Sequence, residues 1–306
     1  MNNVQSYELR SLPTEQILST TPDLDRMSAL EIVRLINQED ATVAAAVCHA
    51  LPQIARAVDV VADALRRGRR LIYVGAGTSG RLGALDASEI PPTFNIDPRR
   101  VQFIMAGGPK ALGHSTEASE DDTAPAVAEM KKRKPGKNDV VIGIASSGRT
   151  PFTIAAVDYA RRRGARTIAL TCNRNSPLER AADFAIVTEV GPEVLAGSSR
   201  MKAGTAHKMV LNMISTGAMA RLGYVYGNLM VNVWMKNEKL TDRAVRIVEQ
   251  ATGADHESAA RALKASGNRT PVAVVMLAAG VNRAQAVAAL KKSKAHVRNA
   301  IESAKS

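Results

Sequence analysis

Five short apolar runs punctuate the first two-thirds of the chain: LIYVGA (71–76), VQFIMA (101–106), VVIGIA (140–145), TIALTC (167–172) and, more weakly, FAIVTE (184–189). Each is bounded by Gly, Asn or basic turns, and helix-period stretches lie between most of them, which is the signature of strands alternating with helices. Uninterrupted apolar strands are those buried on both faces, so the pattern predicts an α/β fold with a doubly wound parallel sheet. Ahead of it, SALEIVRLINQED (28–40) predicts an amphipathic helix with Ser28 as its N-cap. Val43, Val47, Leu51, Ile54, Val58 and Val61 predict a second helix from Thr42 to Arg67.

Beyond the sheet, SSRMKAGTAHKMVLNMISTGAMARLG (198–223) carries Met201, Val210, Leu211, Ile214, Met219 and Leu222 at helical spacing, the pattern of a long buried face or a subunit interface. From Thr241 the chain reads as short Ala-rich helices separated by Gly or Asn. The expected organisation is an N-terminal helical segment (1–60), the sheet domain (61–224) and a small C-terminal helical domain (225–306). No low-complexity linker divides them.

Composition narrows the class. The 306 residues, 45% hydrophobic but only 3% aromatic, suffice for aliphatic cores in one or two domains. No stretch approaches 18 apolar residues, the segment MNNVQSYELRSLPTEQ lacks the features of a secretory signal, and Cys48 and Cys172 are too few for a disulfide framework. A cytoplasmic protein without a membrane partner is expected. The net charge of +12 invites a nucleic-acid reading, but the basic clusters RRGRR (66–70), KKRKPGK (131–137) and RRRGAR (161–166) each precede a predicted strand. Cations there complement the negative C-terminal ends of helices, and with few aromatics for base stacking no nucleic-acid partner is expected.

The chemistry lies in two loops that echo each other. LIYVGAGTSGRLG (71–83) and VIGIASSGRTPF (141–152) each break from an apolar run into a hydroxyl-rich Ser-Gly-Arg turn that opens a helix. Ser79 and Ser147, Gly80 and Gly148, and Arg81 and Arg149 are all 68 residues apart. A parallel sheet collects such loops at the carboxyl edge of its strands, where helix N–H groups and hydroxyls converge on an anion. GAGTSG (75–80) also fits the dinucleotide pattern, yet the second strand ends FIMAGG without the acidic residue that would hold a ribose. A phosphate monoester is the expected ligand.

Acid/base groups are available nearby. Glu89 lies in LDASEIPPT, where the Pro-Pro pair predicts the end of the first-loop helix and the negative end of its dipole suits a proton donor. HSTEASEDD (114–122) offers Glu117, Glu120, Asp121 and Asp122 after the second strand, either as complement to a helix N-terminus or as catalytic groups. The five histidines have no ligand spacing, no metal site is expected, and His207 is the one imidazole to watch in the long helix.

GAGTSGRLGALDASEIPPTF, GIASSGRTPF, GPEVLAGSSRMKAGTAHKMVLNMIST, GNLMVNV and NEKL together resemble the N-acetylmuramic acid 6-phosphate etherase family of the sugar isomerase (SIS) domain superfamily, over nearly the whole chain. The resemblance implies a SIS-type fold and a lyase that cleaves the lactyl ether of N-acetylmuramic acid 6-phosphate, giving N-acetylglucosamine 6-phosphate and D-lactate in cell-wall recycling. It implies Glu89 and Glu120 as catalytic carboxyl groups, with Glu117 as rival to Glu120. Phosphate would be held by Ser79, Ser146, Ser147 and Thr150 with N–H groups near Gly148. Ser199, Arg200 and Lys202 are candidates for closing the site. No cofactor is needed, and a homodimer is implied. The same motifs occur in the glucokinase regulatory protein, so a non-catalytic sugar-phosphate-binding regulator is the alternative.

Overall fold

The computed structural model describes residues 12–19, 23–114, 117–233, 235 and 238–305. Its centre is a five-stranded sheet built from β1 (Leu71–Gly75), β2 (Val101–Met105), β3 (Val140–Ile144), β4 (Arg166–Thr171) and β5 (Phe184–Val187). The order is β2-β1-β3-β4-β5 and every pairing is parallel, with Leu71 opposite both Val101 and Val140. Four of these strands are the apolar runs expected, and the weaker fifth is present as well. β1 and β3 are buried at every position, which is why their sequences are unbroken aliphatic stretches rather than alternating ones.

Before the sheet come α1 (Ala29–Asp40), α2 (Val43–Cys48) and α3 (Leu51–Arg66). Ser28 caps α1 as predicted, in a capping box with Glu31. The single helix expected from Thr42 to Arg67 is instead broken at His49–Ala50. Pro52 is the reason: it cannot donate to the carbonyl of Cys48 and its ring collides with it, so Pro52 starts a new helix instead of continuing the old one.

The remaining connections are α4 (Gly77–Phe94), α5 (Thr123–Arg133), α6 (Pro151–Arg162), the short α7 (Pro177–Ala181) and α8 (Lys202–Arg221). The basic clusters place Arg66, Lys131, Lys132, Arg133, Arg161 and Arg162 in the last turns of their own helices, as anticipated, and two further arginines, Arg70 and Arg100, bond helix-end carbonyls directly. The Arg70 guanidinium donates to the carbonyls of Arg133 and Lys134 at the end of α5 and to the Asp139 carboxylate at 2.6 Å, while Arg100 donates to the carbonyls of Arg69 and Leu65 after α3.

The chain divides into two compact units. One comprises residues 1–87 and 99–214, and the other residues 88–98 and 215–306, so α4 and α8 each begin in the first and end in the second. On one face of the sheet, the first unit's core packs Ile72, Val74 and Val141 with Phe152, Val157, Met130 and Leu178.

The second unit contains α9 (Glu238–Thr252), α10 (His256–Ala265), α11 (Thr270–Ala279), α12 (Arg283–Lys292) and α13 (Val297–Lys305), the last not anticipated from the sequence. α11, apolar almost throughout, touches the other four and supplies Val272, Val274 and Val275 to their shared core. No single helix among the described residues is long and apolar enough to cross a membrane.

α4 runs through Pro91 and Pro92 to Phe94, so the stop expected just after Glu89 does not occur there. Two N–H donors are lost, but the added turn buries Ile90 and Phe94, each contributing roughly 1.5–3 kcal/mol, and the Phe94 carbonyl accepts from Asn232 Nδ2 at 2.8 Å. Glu89 is thus one turn inside the helix and not at the negative terminus of its dipole.

Candidate active site

Strand order dictates where a ligand belongs. The order reverses between β1 and β3, and in open α/β sheets the crevice outside the carboxyl ends of the strands at that reversal is the binding position. β1 and β3 are hydrogen-bonded neighbours ending at Gly75 and Ile144, so the two echoing loops emerge side by side at the switch point.

The first loop turns at once into α4. Gly77 has φ +52°, a conformation open to glycine at little cost, and Thr78, Ser79 and Gly80 lie in the opening turn of an 18-residue helix, where the Gly80 N–H donates to the Ala76 carbonyl at 3.1 Å. The turn is exceptionally close to the strand. A Cβ on Gly75 would stand 2.7 Å from the Gly80 nitrogen, and one on Gly80 would stand 2.7 Å from the Gly75 oxygen and 2.9 Å from Met105 Cγ. Arg81 leaves the loop to donate to the carbonyls of Leu112 and His114, a structural task.

The second loop is anchored from beneath. The Ser146 carbonyl accepts from the Cys172 N–H at 3.0 Å, Thr171 Oγ1 at 3.2 Å and Asn173 Nδ2 at 2.8 Å. Gly148 has φ +66°, and a Cβ there would overlap Ser176 Cβ and Oγ. Of the N–H groups near Gly148 expected to assist the phosphate, its own already donates to the Ala145 carbonyl at 2.9 Å. Ser147 Oγ accepts from the Arg149 N–H at 3.2 Å, and Thr150 stands at the N-cap of α6 without a side-chain capping bond. Ser79 and Ser146 are buried; Ser147, Thr150 and Ser199 are half-buried.

Two further segments reach this edge. Gly204, in the first turn of α8, has Thr78 Cγ2 and the Ser199 oxygen 3.5 and 3.6 Å from the position of a Cβ, which sets the Ser199 loop beside the first loop. Lys202 does not reach for an anion: it is buried and its ammonium pairs with Glu39 at 2.6 Å. The N-terminus of α8 is closed by Glu193, whose carboxylate accepts from the N–H groups of Lys202 and Ala203, both at 2.9 Å. Burial pushes the Glu193 pKa up, only partly offset by those two N–H donors and the Lys202 charge. The N-terminus of α8 is therefore filled by the protein itself, and that of α6 opens on Pro151, which has no N–H to offer.

Glu120 ties the two loops together. Its carbonyl accepts from the Phe152 N–H at 3.0 Å, at the start of α6, and its carboxylate Oε1 lies 3.0 Å from the position of a Cβ on Gly77. Of its acidic neighbours, Asp122 caps α5 by accepting from the Ala124 N–H, which is the structural role of such clusters. The Glu117 side chain lies outside the described residues. Glu89 is exposed on the part of α4 that belongs to the second unit.

His207 is a packed residue. It is fully buried, its Nε2 is 3.5 Å from Cys172 Sγ, and burial brings its pKa down to about 4, so it is neutral at physiological pH. Cys172 is likewise buried, its thiol pKa raised to about 12, chiefly by burial. Thr14, Asn173 and Glu193 were not singled out from the sequence. Their roles rest on contacts between distant segments, for which a single sequence carries no local signal.

Comparison with known proteins agrees with this architecture. The pattern of the glucokinase regulatory protein N-terminal SIS domain matches residues 53–161, and that of the SIS domain matches residues 122–217. A phosphoheptose isomerase from Francisella tularensis shares the fold with a TM-score of 0.50 at 17% identity, over 63% of this chain and 98% of that one. N-acetylmuramic acid 6-phosphate etherase of Symbiobacterium thermophilum is 57% identical over 90% of this chain and 91% of its own length. The relative of the same name from Streptomyces avermitilis is 50% identical over 97% and 96%, and N-acetylmuramic acid 6-phosphate etherase 1 of Bacillus licheniformis is 47% identical over 97% and 98%. The chain belongs to the N-acetylmuramic acid 6-phosphate etherase family of SIS-domain proteins.

Proposed function

We propose that this protein cleaves the lactyl ether of N-acetylmuramic acid 6-phosphate, releasing D-lactate and N-acetylglucosamine 6-phosphate during peptidoglycan recycling. One observation supports the site assignment: Glu120 is bound by its carbonyl to the helix after the second loop and rests its carboxylate on the first. The phosphate is held by Ser79 and the N-terminus of α4 on one side and by Ser146, Ser147 and Thr150 on the other, with Ser199 closing the rim.

The chemistry follows from the substrate. In the open-chain sugar the aldehyde acidifies the proton on carbon 2. Glu120 removes that proton as general base, and the electron pair forms the carbon 2–carbon 3 double bond as the bond from carbon 3 to the lactyl oxygen breaks. Glu89 is the proton donor to the departing lactate oxygen. Water then adds its hydroxyl to carbon 3 of the unsaturated aldehyde and returns a proton to carbon 2, restoring the saturated sugar.

The protein works as a homodimer. Helix α1 buries none of its residues and leaves Leu30 and Val33 more than half exposed, an apolar stripe suited to a second copy. A cytoplasmic setting is supported by two free cysteines, one buried and one exposed.

The test is incubation with N-acetylmuramic acid 6-phosphate in heavy-oxygen water. The expected result is D-lactate together with label on carbon 3 of the sugar, abolished in both Glu89→Ala and Glu120→Ala while sugar-phosphate binding persists. Lactate without sugar label would mean that a different bond breaks. Binding without any lactate from the unsubstituted protein would favour the regulator reading.

A further inference from the structure

Asn173, just beyond β4, is only 2% exposed, and its side chain joins two parts of the chain that are far apart in sequence. Nδ2 donates to the Ser146 carbonyl at 2.8 Å and to Thr14 Oγ1 at 3.1 Å. The carbonyl acceptor fixes which end of the amide is nitrogen, because two acceptors cannot face each other. Thr14 lies in the short turn Pro13–Glu15 and is 1% exposed, so this N-terminal turn is docked on the floor of the second loop.

With Cys172 N–H and Thr171 Oγ1, this gives the Ser146 carbonyl three donors from below. A trans peptide is planar, with its C=O and N–H pointing in opposite directions. Clamping the Ser146 oxygen inward therefore turns the Ser147 N–H outward, toward the crevice between the loops. A carbonyl pointing the other way would present a lone pair to an incoming phosphate, which would repel it.

We infer that Thr14 and Asn173 are positioning residues for phosphate: through the Ser146 carbonyl, the N-terminal segment holds the Ser146–Ser147 peptide in the orientation that offers its N–H to the sugar phosphate. The inference rests on the reading of the second loop as part of the phosphate site. It extends that site to a segment 159 residues from Asn173 that touches neither the reacting carbons nor the anion.

The experiment compares the unsubstituted enzyme with Thr14→Val, which keeps the shape and removes the hydroxyl, and Thr14→Ser, which restores it. Steady-state lactate release and calorimetric titration with inorganic phosphate are both measured, with thermal unfolding as the check on folding. Thr14→Val is expected to raise KM and the phosphate Kd by about tenfold, the scale of one lost neutral hydrogen bond, with kcat within about twofold. Thr14→Ser is expected to return both to within about twofold of the unsubstituted enzyme. Unchanged KM and phosphate Kd in folded Thr14→Val, or a fall confined to kcat, would overturn the inference. If the unsubstituted enzyme releases no lactate yet binds phosphate, the etherase reading fails while the titration still decides the role of Thr14.

Discussion

Glu120 Oε1 and Gly77 are in contact distance: the carboxylate oxygen lies 3.0 Å from where a side chain on Gly77 would begin. The glycine is required twice, once for its φ of +52° and once because anything larger would push the carboxylate from the mouth of α4. Gly77→Ala is therefore expected to lower kcat by at least about tenfold through displacement of Glu120 from its proposed role as base, the sensitivity of proton transfer to sub-ångström misplacement. Thermal stability should fall only modestly. Lactate release measured beside a melting curve checks both, and an unaltered kcat would remove Glu120 from the base role.

Gly148 predicts a different outcome, because its space is taken by the body of the fold rather than by Glu120. A Cβ there meets Ser176 and Thr171 Oγ1, the latter at 2.8 Å, on top of the left-handed strain at φ +66°. Gly148→Ala is expected to destabilise the protein by about 2–4 kcal/mol and to weaken phosphate binding together with stability. Denaturant titration and phosphate titration of the same sample test the pairing of the two losses.

His207 makes stability depend on pH in one direction. Its folded pKa, about 4, lies below the unfolded value near 6.5, so the folded state prefers the neutral ring. The penalty is absent above pH 6.5 and grows as pH falls toward 4, reaching about 3 kcal/mol. Urea unfolding at pH 7 and pH 4.5 should show that loss in the unsubstituted protein and a smaller one in His207→Gln. Equal losses in the two would locate the acid sensitivity elsewhere.

Asp139 is buried beneath the sheet's amino edge. Burial pushes its pKa up, but the Arg70 side chain, the N–H groups of Gly136 and Arg70 and the guanidinium charge together hold it below the ordinary carboxylate range. Its contribution to stability is present above the usual aspartate pKa and is lost as pH falls through the lowered one. Asp139→Asn should cost about 2–4 kcal/mol at pH 7 by leaving a partly buried guanidinium without its counter-charge, with kcat unchanged. Equilibrium unfolding at pH 7 provides the measurement.

How much of this was legible beforehand varied with the range of the interactions. The central strands could be read because burial on both faces makes β1 and β3 unbroken apolar runs, and the echo of Ser79–Arg81 in Ser147–Arg149 was visible because loop chemistry is local. Helix limits were less legible. Pro52 breaks a helix whose apolar spacing continues unperturbed, whereas Pro91 and Pro92 fail to end one, because burial of Ile90 and Phe94 outweighs the lost donors. Lys202 resembled an anion ligand by type, and only its pairing with Glu39, 163 positions away, reveals a structural residue. Gly148 had the right residue in the right loop, but the destination of its N–H depends on how the turn closes.

The mutual approach of Gly75 and Gly80 limits how this scaffold can be redesigned. Because backbone occupies the volume where either side chain would grow, the floor of the anion cradle admits almost no variation in sequence. A change of preference from one phosphorylated sugar to another must come from the walls, where half-buried side chains such as Ser199 are not locked against backbone in this way. Selection or design on this protein should vary those walls and leave the floor alone.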